Sequence, residues 1–142
     1  MQRMFYLDTA IWRDYFEDRK DNLRPLGEFA FQFLKACEKQ GCEVLVSDIV
    51  ILELEARLPK ERVKEIFSSF TSIIRNVVAS EVQVSEARKE WQKRNRALPF
   101  KDVLHAVIAR DHCAVLVARD NHFFEFLSSI VEVKKPEDIT LV

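Results

Sequence analysis

The pattern that decides the fold is first seen in Met4-Phe5-Tyr6-Leu7-Asp8, a short apolar run that ends at an acid. Residues 44–46, VLV, repeat the pattern and end at Ser47, and residues 114–117, AVLV, lead within three residues to Asp120. Apolar runs that are continuous, and not alternating, are typical of parallel strands covered on both faces. The sequence therefore predicts three central strands, each followed by a polar group.

Helical patterns occupy the segments between these runs. From Leu26 to Cys37 the apolar residues follow the spacing of one helix face, and Gly41 comes where a helix C-terminus favours glycine. Residues 73–78 fit either a continued helix or a short edge strand. Further elements are predicted as helices at residues 48–58, 63–70, 80–94 and 100–112, and as an edge strand at residues 131–133. We therefore expect a single domain over residues 1–142, an α/β fold with three layers (α/β/α) around a central, mostly parallel sheet.

Charge, glycine and cysteine content exclude several classes of function. Lysine plus arginine number 22 and aspartate plus glutamate 23, so any nucleic-acid contact must come from a local patch. Gly27 and Gly41 are the only two glycines, which excludes the phosphate-binding and dinucleotide-binding motifs that need clustered glycines. Three cysteines without a CxxC pair argue against a zinc site.

The hydropathy pattern indicates a soluble protein. No apolar stretch approaches the ~18 residues of a membrane span, and the first residues lack the apolar segment of a signal peptide. We therefore expect a cytoplasmic location and no association with membranes.

Four acids are predicted to meet at one edge of the sheet. Asp8 and Asp120 follow strands, and ligands of open parallel sheets bind beyond the carboxyl ends of the strands. Asp102 opens a helix whose next residues are nearly all apolar, and Glu53 lies within the apolar stretch 49–54. Clustered carboxylates repel one another unless hard cations occupy the site, and Mg²⁺ or Mn²⁺ suits oxygen ligands. The sequence therefore predicts a divalent-metal site.

Each acid also has a structural interpretation when it is taken alone. Asp8 and Asp102 fit helix N-caps, and Asp120 fits a turn. Glu53 fits a surface position between two apolar residues. The conjunction of all four at one edge favours the metal site, because no lysine set among apolar residues is there to neutralise them.

The chain resembles the PIN domain, the fold of metal-dependent ribonucleases found in VapC-type toxins and in RNA-processing nucleases. Residues 5–9, FYLDT, are similar to the opening strand of that family with its first acid. Residues 47–54, SDIVILEL, are similar to its second motif, and residues 99–109, PFKDVLHAVIA, to its third. Residues 117–123, VARDNHF, resemble the fourth motif, so the likeness extends along nearly the whole chain.

This resemblance implies an endoribonuclease that uses Mg²⁺ or Mn²⁺ to hydrolyse RNA phosphodiester bonds, and a role as the toxin of a toxin–antitoxin module. It implies metal ligation by Asp8, Asp102 and Asp120, with Glu53 as a further ligand or as the group that orients water. Thr9 is expected to hydrogen-bond a phosphate or a metal-bound water, or to cap a helix. The resemblance also implies RNA as substrate, an antitoxin protein as partner, and a homodimer.

A basic stretch before the third motif is a candidate for substrate binding. Residues 88–96, RKEWQKRNR, carry five basic side chains and one acid around a tryptophan. Such a stretch fits either an RNA backbone or a solvated helix face. The predicted RNA contacts are Lys93, Arg94 and Arg96, with Lys101 closer to the acids.

Two histidines lie close to the candidate acids in the sequence. His105 follows Asp102 by three residues on the same helix face, which fits either a pocket-lining residue or a buried structural histidine. His122 follows Asp120 in a predicted loop, from which its side chain could reach the site.

Two other functions stay open. The first is a catalytically inactive PIN-like module that only binds RNA or a protein. It is supported by Ala118, where the family often has threonine or serine, and by His122, where another acid is frequent. The second is a phosphatase on another doubly wound sheet. The haloacid-dehalogenase type has a second acid two residues after the strand-end aspartate, and this chain has Ala10 there, which argues against it.

Overall fold

Five parallel strands form the centre of the molecule in the computed structural model, which describes residues 3–141. The strands are β1 (Met4–Leu7), β2 (Glu43–Ser47), β3 (Ile74–Val77), β4 (Val115–Val117) and β5 (Val133–Lys134). They lie in the order β3-β2-β1-β4-β5, and every neighbouring pair is parallel. The carboxyl ends of all five strands therefore meet at one edge of the sheet.

Seven α-helices connect and cover these strands within residues 3–141. They are α1 (Thr9–Glu17), α2 (Leu26–Gln40), α3 (Asp48–Glu55), α4 (Lys60–Ser68), α5 (Glu81–Lys93), α6 (Phe100–Asp111) and α7 (Asn121–Leu127). A short 3-10 helix follows at Pro136–Asp138. In this described part of the chain, no helix has the length and apolar character of a membrane span. The architecture confirms the predicted three-layer α/β/α fold.

Local sequence signals set the ends of several helices. Gly41 ends α2 with a left-handed backbone (φ 71°), a conformation that costs glycine little because it has no Cβ. Ser80 begins α5 with a capping box, in which its hydroxyl accepts from the Gln83 N–H and the Gln83 side chain accepts from the Ser80 N–H. Ser47 caps α3 by accepting a hydrogen bond from the N–H of Val50 at 3.2 Å. These ends fix where each helix leaves the sheet.

The structure resolves three boundaries that the sequence left open or placed differently. The ambiguous stretch 73–78 forms the edge strand β3, because its backbone pairs with β2. The other predicted edge strand begins at Val133 and not at Val131, since the Val131 N–H is still bonded to the carbonyl of Leu127 at the end of α7. The helix predicted over 48–58 ends at Glu55, ahead of the turn that leads into α4.

The apolar core holds the carboxyl edge of the sheet in place. Phe5, Tyr6 and Leu7 of β1 are fully buried, and α6 is buried continuously from Val103 to Ala109. Burial of this kind leaves a side chain little freedom to move, because protein interiors are packed as densely as organic crystals. Residues at the end of β1 and the start of α6 are therefore held on rigid elements.

Candidate active site

The structure brings the four predicted acids together at the carboxyl edge of the sheet. Asp8 follows β1 directly, and its backbone N–H donates to the carbonyl of Val117, the last residue of β4, at 2.9 Å. Asp120 comes three residues after that strand. Asp102 lies in the first turn of α6, and Glu53 lies in α3. All four acids line one pocket of about 300 Å³, which we call the acid pocket.

Asp8 and Asp102 form a closely spaced carboxylate pair in the acid pocket. One oxygen of each and a ring nitrogen of His105 all lie within 4.8 Å of one another. Asp8 is 6 % exposed, and this burial raises the pKa of its carboxyl to about 7, opposed by the charge of His105 and assisted by that of Asp102. Burial also raises the pKa of Asp102, against the lowering effect of a hydrogen bond from His122. Two carboxyls that resist ionisation together fit a hard divalent cation, which would stabilise both charges.

Glu53 lies in the same pocket but is held in its ionised form. Its Oε1 accepts a hydrogen bond from the Thr9 hydroxyl at 2.9 Å and another from Nε2 of His105 at 2.5 Å. Burial alone would raise the pKa of Glu53, but these hydrogen bonds and the charge of Lys101 lower it below its usual value. Neighbouring carboxyls with pKa values moved in opposite directions are suited to different chemical roles.

A line of buried hydrogen bonds fixes His105 from the core side. Its Nδ1 lies 2.6 Å from the Tyr6 hydroxyl, which lies 2.6 Å from Oγ of Ser47. The side chains of all three residues are inaccessible to solvent. In either protonation state of the ring the line runs from Ser47 through Tyr6 to Nδ1, and Nε2–H donates to Glu53. The orientation of Glu53 is therefore tied to the packed core.

We expect Tyr6→Phe to lower the free energy of unfolding by about 1–3 kcal/mol. The substitution keeps the ring but removes the hydroxyl that bonds His105 and Ser47, so two buried polar atoms lose a partner. Urea unfolding of the metal-free protein measures this loss. Tyr15→Phe is the matched control, because the Tyr15 hydroxyl makes no hydrogen bond to the described residues. Equal effects of the two substitutions would show that the buried line contributes nothing to stability.

The helix-capping alternative is wrong for Asp102, which lies inside α6, where Pro99 occupies the N-cap position. Asp8 does occupy the N-cap position of α1, where burial raises the pKa of its carboxyl and the nearby Ala10 N–H lowers it. The Glu53 side chain is 25 % exposed, so it is not a solvated surface group. Asp120 is exposed and precedes α7 without a capping bond from its side chain. It lies outside the close group formed by Asp8, Asp102 and His105.

His122 contacts the site from the start of α7. Its Nε2 lies 2.7 Å from Oδ2 of Asp102, and its ring stacks on Phe123 with a centroid distance of 4.6 Å. The position at which the family frequently has an acid is therefore filled here by a partner of the third-motif aspartate. Sequence reasoning placed His122 near the site but did not identify Asp102 as its partner.

The predicted RNA contacts of the basic stretch are engaged elsewhere in the structure. Arg94 forms an ion pair with Glu90 and donates from Nε to the carbonyl of Phe126 at 2.8 Å. Lys93 lies 3.5 Å from the same glutamate, and the guanidinium of Arg96 lies over the Trp91 ring at 5.1 Å from its centroid. None of Lys93, Arg94 and Arg96 lines the acid pocket.

Three other cations line the acid pocket. Lys101 was predicted to lie close to the acids, and it does. Arg13, a further candidate near the first motif, and Arg57 also line the pocket, and sequence reasoning did not assign Arg57 to it. A signal for Arg57 was present, since it follows Glu53 by four residues and would share a face with it in the helix predicted over 48–58.

Solved structures share this fold at low sequence identity. VapBC2 from Rickettsia felis, bound to a DNA fragment from its promoter, matches with a TM-score of 0.69 and 19% identity, over 93% of this chain and 98% of that one. FitAcB from Neisseria gonorrhoeae matches with a TM-score of 0.63 and 21% identity, over 96% of this chain and 100% of that one. FitAB bound to an IR36 DNA fragment matches with a TM-score of 0.62 and 20% identity, over 96% of this chain and 98% of that one. These identities show a common fold alone.

Sequence comparison identifies the family. No curated protein matches the chain. The model of the PIN domain family, in contrast, matches residues 5–126, which include Asp8, Glu53, Asp102 and Asp120. This range covers most of the chain and all four motifs on which the resemblance rests. The chain belongs to the PIN domain family.

Proposed function

We propose that this chain is a metal-dependent endoribonuclease that hydrolyses RNA phosphodiester bonds. The observation that carries the proposal is the Asp8–Asp102 pair, whose oxygens lie with a ring nitrogen of His105 within 4.8 Å of one another. Membership in the PIN family supports hydrolysis of a nucleic acid at this pocket. The choice of RNA and of a divalent ion is part of the proposal.

The donor set fits Mg²⁺ or Mn²⁺. Asp8 and Asp102 offer hard oxygen ligands, and burial makes their ionised forms unfavourable unless a cation is bound. Glu53 and Asp120 line the same pocket. We propose Asp8, Asp102 and Asp120 as ligands, with the close pair contributing most, and Glu53 as a further ligand or as the group that orients water. Both nitrogens of His105 are engaged by Tyr6 and Glu53, so this histidine is a positioning group. A divalent ion bound there supplies charge compensation for the phosphate and activates water for attack.

Glu53 is proposed to orient the attacking water. Its lowered pKa keeps it a hydrogen-bond acceptor, and the bonds from Thr9 and His105 fix its direction. Arg57 and Lys101 line the same pocket, and neither forms an ion pair among the described residues. Both are therefore available to the non-bridging oxygens of a phosphate.

We also propose that the protein is the toxin of a toxin–antitoxin module. The resemblance to VapC-type toxins supports this, as does the fold shared with VapBC2 and FitAB over more than nine-tenths of the chain. An antitoxin protein as partner, a homodimer and a cytoplasmic location belong to the same proposal.

An inactive PIN-like binding module is the second candidate. The observation that favours it is the contact of His122 with Asp102, because this hydrogen bond occupies one oxygen of a proposed metal ligand. The buried Ala118, in place of the threonine or serine that the family often has, points the same way. Such a module would bind RNA or protein without cleaving it.

One assay separates these functions. The protein is incubated with Mn²⁺ and a labelled single-stranded RNA, a DNA of the same sequence, or a phosphomonoester. We expect cleavage inside the RNA, its loss in excess EDTA, and its return when Mn²⁺ is restored. RNA binding without cleavage would favour the inactive module, and hydrolysis of the phosphomonoester alone would favour a phosphatase. RNA cleavage that persists in EDTA would overturn the metal mechanism.

A further inference from the structure

A second pocket of about 430 Å³ adjoins the acid pocket, and we call it the basic pocket. The two pockets share Ala10 and Asp120 as wall residues. The basic pocket is lined by five cationic and three acidic side chains, whereas the acid pocket has four acids and three cations. The cations of the basic pocket are Arg19, Lys20, Arg24, Arg119 and Lys135.

All three arginines of the basic pocket are neutralised by partners within the fold. Nε of Arg19 donates to Oδ1 of Asp14 at 2.9 Å. Arg119 donates through both terminal nitrogens to Glu137, at 2.6 and 2.8 Å, and its side chain is 12 % exposed. Arg24 pairs with Asp21. These pairs build the wall of the pocket, so its free positive charge must come from other residues.

That free charge belongs to Lys20 and Lys135. Within residues 3–141, neither ammonium group forms a hydrogen bond or an ion pair. Lys135 follows β5 directly, so it lies at the same edge of the sheet as Asp8 and Asp120. The sheet edge therefore changes from acidic at β1 and β4 to basic at β5.

Close packing of α2 against the end of α1 holds the loop that carries Lys20. The Gly27 N–H donates to the carbonyl of Arg19 at 2.9 Å. A Cβ at Gly27 would lie 2.6 Å from Cα of Asp18 and 2.7 Å from the carbonyl oxygen of Asp14, so only glycine allows this approach. The backbone that carries Lys20 is therefore held in place at the rim of the basic pocket.

We infer that the basic pocket binds the phosphate of a nucleotide next to the one that is cleaved. The inference rests on the proposed function, since it places the scissile phosphate over the acid pocket. The strand would then pass Ala10, whose small side chain forms the wall common to both pockets. Two ammonium groups in one pocket, neither held in an ion pair among residues 3–141, suit a phosphate, which would be repelled by the unneutralised acids elsewhere at this edge.

The test measures binding and cleavage of one short single-stranded RNA by the Lys20→Ala/Lys135→Ala double variant. Binding is followed by fluorescence anisotropy in EDTA over a range of salt concentrations. We expect Kd to rise about three- to tenfold, and the slope of log Kd against log salt to fall by about 0.7, the value for one phosphate of a single strand. With Mn²⁺, KM should rise by a similar factor while kcat stays unchanged.

Two further variants make the result specific. Lys39→Ala/Lys64→Ala removes two exposed lysines that form no ion pair in the described residues, and it should leave Kd and the salt slope unchanged. Lys20→Arg/Lys135→Arg keeps the charge and should restore both values. Equal Kd and slope in the wild type and the Lys20→Ala/Lys135→Ala variant, or a wild type that binds no RNA, would overturn the inference. Binding that depends on these lysines, with no Mn²⁺-dependent cleavage, would overturn the proposed function instead.

Discussion

Replacing Asp8 with asparagine is expected to lower the rate of RNA cleavage more than about a hundredfold. Loss of a group that merely supports a metal ligand commonly costs about 10–100-fold, and Asp8 is proposed as a direct ligand. Asparagine would keep the size of the side chain and lose the charge that a hard cation requires. Initial rates of cleavage with saturating Mn²⁺ measure the effect.

The four acids should not be equal in this assay. Asp102→Asn should match Asp8→Asn, because the two carboxylates form the close pair, whereas exposed Asp120 lies outside it and its substitution should cost less. Asp111→Asn is the control in the same helix as Asp102, at the end remote from the site, and it should keep the wild-type rate. Full activity of the Asp8→Asn protein would remove the main support for the nuclease proposal.

The sequence predicted the fold well because the fold rests on local and periodic signals. Continuous apolar runs marked β1, β2 and β4, and the apolar stripe from Leu26 to Cys37 marked α2. Strand ends then placed Asp8 and Asp120 at one edge, since parallel strands share their direction. Residues 73–78 could not be decided locally, because pairing with β2 is what makes them a strand.

The hydrogen bonds that connect Glu53 through His105 and Tyr6 to Ser47 could not be predicted from the sequence. Ser47 and His105 are separated from Tyr6 by 41 and 99 positions along the chain. A tyrosine inside an apolar strand satisfies the pattern of a core residue, and its hydroxyl partner becomes known only when β1, β2 and α6 are packed together. The same holds for the contact between His122 and Asp102.

The basic stretch shows why charge alone does not identify a binding surface. Residues 88–96 carry the densest positive charge in the sequence, yet Arg94 is used to join α5 to the Phe126 carbonyl and to Ser129. Lys20 and Lys135 lie outside such a stretch, and the tertiary structure brings them to one pocket, where neither forms a hydrogen bond or an ion pair among the described residues. Whether a cation is available depends on its neighbours in space.

The last prediction concerns the stability of the metal-free protein. Burial raises the pKa of Asp8 from 3.8 to about 7, so between these values the folded protein holds a proton that the unfolded chain has released. The free energy of unfolding therefore falls as the pH rises through this range, by about 1.4 kcal/mol for each unit of pKa difference. Asparagine cannot ionise, so the Asp8→Asn protein should melt above the wild type at about pH 8 and lose this pH dependence. Asp111 is the opposite case. Burial opposes its ionisation, but hydrogen bonds from Arg110 and Gln83 lower its pKa below the usual value, so Asp111→Asn should lower the Tm of the metal-free protein at about pH 8.

Adding Mn²⁺ should reverse the order of the two proteins. A ligand that binds only the folded state stabilises it by about 2.7 kcal/mol at a hundredfold excess over its Kd, so the wild type should gain most where Asp8 is ionised. The Asp8→Asn protein lacks that charged oxygen and should gain little, which leaves it below the wild type in Tm at about pH 8. Thermal melts with and without Mn²⁺ give all four values. A Tm of the metal-free Asp8→Asn protein below that of the wild type, with an equal Mn²⁺ shift in both, would mean that the carboxylate pair is neither in electrostatic conflict nor the site of the ion.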